Sequence, residues 1–180
     1  MKWQDAEPDL ALNSLVDIFK VYGLINSLSF LQAQVDMLLV CHQSCWKNMI
    51  DHIKPHRVEM GGLILGSIFT DNKRVITSLE DVVPSREHES SSVSLRMEPS
   101  VWVEASNKLK KGQAIVGWYH SHPNLGSFFS GTDRKNQRAN FRRNFHIGLV
   151  IDPVRNNELA IFQGPESESV DLNNFIVLDL

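Results

Sequence analysis

An apolar run that ends in two histidines constrains this chain more than any other stretch. Gly117-Trp118-Tyr119-His120-Ser121-His122-Pro123 reads as the end of a buried strand, and Phe128-Phe129-Ser130-Gly131-Thr132-Asp133 follows at short range. Side chains alternate between the two faces of a strand, so His120 and His122 fall on one face. No other part of the sequence gathers as many metal-capable and reactive side chains in so few residues.

The surrounding chain suits a single domain. Its 180 residues allow one core with a short appendage, and 42% apolar with 22% charged residues is ordinary for a soluble globular protein. A formal charge of −3, with no basic block, excludes a nucleic-acid footprint. The N-terminus lacks the charged-then-apolar layout of a signal peptide, and no apolar run reaches the ~18 residues of a membrane span. Cys41 and Cys45 are too few and too closely spaced for a disulfide framework, so a cytoplasmic protein with two reduced thiols is expected.

Periodicity predicts a mixed α/β (α+β) fold, a central mixed β-sheet flanked by helices. Residues 1–32 form an N-terminal extension, helical and then interrupted near Gly23 and Asn26; residues 33–180 form the main domain. Within it, strands are expected over 35–40, 59–69, 74–83, 113–119, 146–151, 159–162 and 175–178. Helices are expected from Cys45, capped by Ser44, to about Ile53; from Glu98-Pro99-Ser100 to Gly112; and over 130–141. Residues 84–92, from Pro84 through the serine run ending at Ser92, read as an exposed loop.

Two imidazoles side by side on a sheet face can hold one divalent ion, and Asp133 is the best third ligand. Two nitrogens and one carboxylate leave a fourth tetrahedral position for water, the pattern of a catalytic zinc site. Zinc would bring the pKa of that water toward ~7, within reach of a nearby carboxylate acting as base. Glu59 is the strongest candidate, since a glutamate at the start of an apolar strand costs desolvation energy unless it has a task or a partner. Ser130 and Asp133 carry a second reading: Ser-x-x-Asp ahead of a helix is a capping signal. The two readings are compatible if the first helical turn aims Asp133 at a metal while the Ser130 hydroxyl faces developing negative charge on a substrate oxygen.

With these residues in hand, the pattern resembles the JAMM (MPN-plus, JAB) metalloprotease family. Its signature is an upstream glutamate, His-x-His-Pro, a serine seven residues after the second histidine, and an aspartate three further on; Glu59, His120-Ser121-His122-Pro123, Ser130 and Asp133 match it. Glu59-Met60-Gly61-Gly62-Leu63-Ile64-Leu65-Gly66 is similar to the family's glutamate-bearing strand, and the pair Phe128-Phe129 to members that cut ubiquitin-type isopeptide bonds. The resemblance implies a cytidine deaminase-like JAB/MPN fold over about 33–180. It implies Zn2+ on His120, His122 and Asp133, Glu59 as general base and then acid, and Ser130 as the oxyanion donor. It implies hydrolysis after the C-terminal glycine of a ubiquitin-like protein or its conjugates. The substrate would be bordered by the loops at 84–92 (Pro84 to Ser92) and 123–129 (Pro123 to Phe129). The compact ending at Leu180 resembles stand-alone prokaryotic members, some of which accompany E1-like and E2-like partners in antiviral operons. A non-catalytic MPN scaffold and a hydrolase of an amino acid-loaded sulfur-carrier protein are the alternatives.

Overall fold

The computed structural model describes residues 12–33, 35–71, 73–85 and 98–179. In chain order, β1 (Leu12–Ser14) leads through a 3-10 turn (Leu15–Asp17) into α1 (Ile18–Gln32). β2 (Met37–His42) runs directly into α2 (Gln43–Ile53), and β3 (Gly61–Thr70) and β4 (Val75–Pro84) form a hairpin. Then come α3 (Pro99–Lys108), β5 (Ala114–Ser121), α4 (Gly131–Asn140), β6 (Ile147–Asp152), β7 (Glu158–Gln163), β8 (Glu168–Ser169) and β9 (Phe175–Leu178).

The strands form one mixed sheet in the order β8-β7-β6-β5-β3-β4-β2-β9, with β1 added beside β3. β3 is buried over most of its length, as its unbroken Leu-Ile-Leu run demands, and both long neighbours, β4 and β5, are antiparallel to it. β5 covers β3 from Gly61 to Gly66, and β1 takes over at Ile68–Thr70. Asn13 fastens that junction, donating to the Ile68 carbonyl (3.2 Å) and the Gly112 carbonyl (3.1 Å). The β3 register shifts against β4 between Leu65 and Gly66, where a Cβ would lie 1.7 Å from the Ser78 carbonyl oxygen. Only glycine allows strands to come so close at that bulge.

Alternation sorts the core into layers. Leu39 and Cys41 of β2 and Ile64 of β3 pack with Cys45, Met49 and Ile53 of α2. Leu38 and Val40 turn the other way, onto Ile18, Tyr22 and Phe30 of α1. Leu63 and Leu65 meet Val101 and Ala105 of α3. Met49 and Ile53 are fully buried, each contributing about 1.5–3 kcal/mol by the usual area argument, enough to seat an α2 whose other face is polar.

Several expectations change. The helix after β2 begins at Gln43 with His42 as its N-cap, and Ser44 makes no cap; β2 continues two residues further than its apolar run suggests and leaves no loop for a serine cap. Gly23 breaks the first helix as expected, with a non-helical φ of 68° and ψ of 177°, but a second helical stretch, and not a connector, follows it to Gln32, with Phe30 in a buried seat. α3 stops at Lys108, and Gly112 (φ 86°) serves the turn into β5. Of the loop expected over 84–92, Pro84 closes β4 and Ser85 is buried, its N–H donating to the Gly61 carbonyl (2.8 Å). Residues 86–92, like residues 1–11, lie outside the described residues.

Candidate metal centre

β5 delivers His120, and the chain stays extended for one more residue because the His122 N–H donates to the Ile151 carbonyl beside it (3.0 Å). Both rings therefore emerge on the same side, their Nε2 atoms 3.2 Å apart. Behind them, the Trp118 indole lies flat against His120, with centroids 4.6 Å apart and planes 8° from parallel. Tyr119 faces the opposite layer, its hydroxyl 2.9 Å from His52 Nδ1.

α4 brings the carboxylate. Ser130 is its N-cap, and a reciprocal capping box forms: Ser130 Oγ accepts from the Asp133 N–H (3.2 Å) and Asp133 Oδ2 accepts from the Ser130 N–H (2.7 Å). Asp133 Oδ1 lies 3.4 Å from His120 Nε2, and Oδ2 lies 3.8 Å from His122 Nε2. Capping and convergence on the histidines thus coexist in one residue. The cap uses Ser130 Oγ as an acceptor and leaves its hydroxyl proton to donate elsewhere.

Glu59 arrives from the segment ahead of β3, its Oε1 3.7 Å from His122 Nε2 and its side chain partly exposed. That segment is registered against β5 by Ser121, which donates its N–H to the Met60 carbonyl (2.8 Å) and accepts the Met60 N–H at Oγ (3.0 Å). All five residues singled out in the sequence, Glu59, His120, His122, Ser130 and Asp133, meet at one end of β5.

The electrostatics are those of a cation site. Burial raises the Asp133 carboxyl, but the His120 imidazole and the Ser130 cap outweigh it and bring its pKa down to about 2. Burial lowers His122, and the adjacent His120 lowers it further, against the pull of Glu59 and Asp133. Glu59 moves up, chiefly by burial and also by the Asp133 charge, with His122 opposing. Ligands about 2.0–2.1 Å from a tetrahedral ion lie roughly 3.3 Å from one another. The two Nε2 atoms stand 3.2 Å apart, close to that spacing, and one ligand atom from each of His120, His122 and Asp133 lies within 4.8 Å of the others, so the donor set fits a divalent metal such as zinc. Among the described residues, His120, His122 and Asp133 form the cluster able to hold a metal.

The loop over 123–129 is tied down from below. The fully buried Asp152 carboxylate accepts the N–H groups of Asn124 (2.9 Å), Gly126 (2.8 Å), Val154 (2.9 Å) and Arg155 (3.2 Å). Phe129 is buried against Phe162, whereas Phe128 stays half exposed with its ring 4.8 Å from that of His122. The Ser121 and Asp152 roles were not foreseen. Ser121 stands unmarked between the two histidines, and Asp152 ahead of Pro153 signals only a turn.

Comparison with known proteins agrees with this arrangement. A family described as prokaryotic homologs of the JAB domain matches residues 42–163. COP9 signalosome complex subunit 5 of Debaryomyces hansenii is 28% identical over 87% of this chain and 33% of its own length. The same subunit of Drosophila melanogaster is 31% identical over 54% of this chain and 31% of its own length. The chain therefore spans about a third of these curated relatives. Among solved structures, protein DSY2949 of Desulfitobacterium hafniense shares the fold, with a TM-score of 0.61 and 19% identity over 79% of this chain and 94% of that one. With more than half its length matched by the family model, the chain belongs to the prokaryotic homologs of the JAB domain.

Proposed function

We propose that this domain is a zinc-dependent isopeptidase or peptidase that hydrolyses the bond after the C-terminal glycine of a ubiquitin-like protein. The observation that carries the reading is the meeting of His120, His122 and Asp133 with a fourth side chain, the separately delivered Glu59 carboxylate, 3.7 Å from His122. Zinc held by the first three would supply Lewis acidity, polarising the scissile carbonyl and making water acidic enough to lose a proton near neutral pH. Glu59 takes that proton from the attacking water and returns it to the leaving amine; its raised basicity suits the exchange. Ser130 donates its hydroxyl proton to the oxygen on which negative charge develops.

The substrate class rests on the family resemblance and on the aromatic pair ahead of Ser130. The half-exposed Phe128 gives an extended, glycine-ended tail an apolar wall beside His122. The loops at 84–92 and 123–129 are the segments proposed to border it. We place the domain, with 33–180 as its catalytic part and 1–32 as an appendage, in a reducing cytoplasm, in keeping with free, buried Cys41 and Cys45. No helix among the described residues is long and apolar enough to cross a membrane. Conjugating partners of E1-like and E2-like type, as in bacterial antiviral systems, complete the proposal.

The test is cleavage of a ubiquitin-like protein fused through its C-terminal glycine to a reporter. Glu59→Gln should keep bound zinc while lowering the rate by about 10²–10⁴-fold. Cleavage at the wild-type rate in that variant refutes the general-base role, and a zinc-loaded wild type inactive on every such fusion refutes the substrate class.

A further inference from the structure

α4 lacks the apolar stripe that ordinarily fastens a helix to a sheet. Its ten residues are Gly131-Thr132-Asp133-Arg134-Lys135-Asn136-Gln137-Arg138-Ala139-Asn140, and the two that are buried are Asp133 and Gln137. Spaced four apart, they share one face. The helix is therefore docked through a carboxylate and an amide, and only the carboxylate has a place in the chemistry above.

The amide is fully satisfied. Gln137 is 0% exposed. Its Oε1 accepts the Trp118 indole N–H at 2.6 Å, and its Nε2 donates to the Gly164 carbonyl (3.2 Å) and the His146 carbonyl (3.4 Å). Trp118 is the ring stacked flat on His120. One side chain thus joins the platform behind the first histidine to the helical turn that presents Asp133, and anchors both to the backbone at the ends of β6 and β7. Gly148 makes space for the arrangement: a Cβ there would sit 2.4 Å from the Phe129 ring, 2.9 Å from Trp118 Nε1 and 3.1 Å from Gln137 Oε1.

We propose that Gln137 is a positioning residue of the metal centre, fixing α4 against Trp118 so that Asp133 is held on the two histidines, and that it thereby sets metal affinity. The inference rests on the metal reading given above. Its physical basis is that helix docking and ligation share one side chain, Asp133, while Gln137 carries the rest of the docking on that face. Without the amide bonds, the buried face of α4 is held by Asp133 alone, with Arg134 (on the Ser167 carbonyl and the Phe162 ring) and the Arg138–Glu166 pair at its margins, and part of the binding free energy goes into ordering the helix. A role confined to fold stability would weaken the metal-free and metal-loaded forms equally and leave the dissociation constant unchanged.

The experiment is zinc affinity by competition with a chromophoric chelator, on the full chain. Gln137→Leu should bind zinc about 10–100-fold more weakly than wild type, the usual cost of losing a group that orients a ligand. Arg138→Ala, on the exposed face of the same helix and paired with Glu166, should bind as wild type does. Should Gln137→Leu not fold, Trp118→Phe keeps a flat ring behind His120 and removes the N–H donor; it too should bind zinc several-fold more weakly. Wild-type affinity in Gln137→Leu, or in Trp118→Phe if that variant must serve, overturns the proposal, as does an equal loss in Arg138→Ala. A wild-type protein that takes up no zinc overturns the metal reading and this inference together; tight wild-type binding with an unaffected Gln137→Leu overturns this inference alone.

Discussion

Ser121 Oγ accepts the backbone N–H of Met60 at 3.0 Å, and this bond joins the strand that ends in the histidines to the segment that carries Glu59. Lying between the two histidines, Ser121 faces away from them and is fully buried. It fixes the register across which Glu59 and His122 stand 3.7 Å apart.

Ser121→Ala leaves a buried N–H without its partner, which costs about 1–3 kcal/mol. The expected outcome in urea unfolding is a lower midpoint at an unchanged slope. Cleavage should fall further than zinc content, because both histidines keep their places while Glu59 loses its register. Equal loss of zinc and of activity would count against this role.

Asp152 gathers four backbone N–H groups under the loop that follows His122. Asp152→Ala strands all four and should be among the most destabilising single changes in the chain, about 3 kcal/mol or more. Asp152→Asn keeps an acceptor for Asn124, Val154 and Arg155 and turns an amide toward Gly126, so its cost should be clearly smaller. Calorimetry of the two variants side by side checks the order; a reversed order would mean that accepting these N–H groups is not what Asp152 contributes.

Metal binding should stabilise the fold. At a free zinc concentration a hundred times the dissociation constant, the linkage relation gives about 2.7 kcal/mol. Urea midpoints with zinc and with chelator should differ accordingly in wild type and coincide in His122→Ala. Coincident midpoints in the wild type would remove the metal centre from the account.

His146 is held low, to about 4, first by burial and then by the charge of Arg143, and its Nδ1 accepts the Arg143 N–H (3.1 Å). An unfolded histidine titrates near ~6.5, so between that value and about 4 the unfolded chain binds the extra proton. Its contribution to stability is therefore complete above pH ~6.5 and is lost as the pH falls toward 4, on the order of 2–3 kcal/mol in all. With chelator present, His146→Gln should flatten this part of the pH–stability curve relative to wild type. Parallel curves would show that His146 is not the group responsible.

Local chemistry was legible in the residues. The period of two put His120 and His122 on one face, and Ser130-x-x-Asp133 announced a cap that the structure forms in full. The unbroken apolar run from Leu63 to Leu65 required a central strand. The docking of α4 was not legible, because an amide has no period: nothing in Asn136-Gln137-Arg138 distinguishes the buried side chain from its exposed neighbours. Likewise, three residues as ordinary as Leu12-Asn13-Ser14 carry no strand signal; they become β1 because the pairing of β5 with β3 stops at Gly66 and leaves the rest of β3 with an open edge.

By itself, then, the sequence determined which side chains could bind a metal and which faces they would share, since spacing along a strand or a helical turn is a property of the backbone. Only the tertiary structure decided that Glu59, 61 residues before His120, would stand against His122, and that Gln137 would lie beneath Trp118. Those relations come from strand pairing and from the fit of buried polar groups, whose energies depend on partners far apart in the chain.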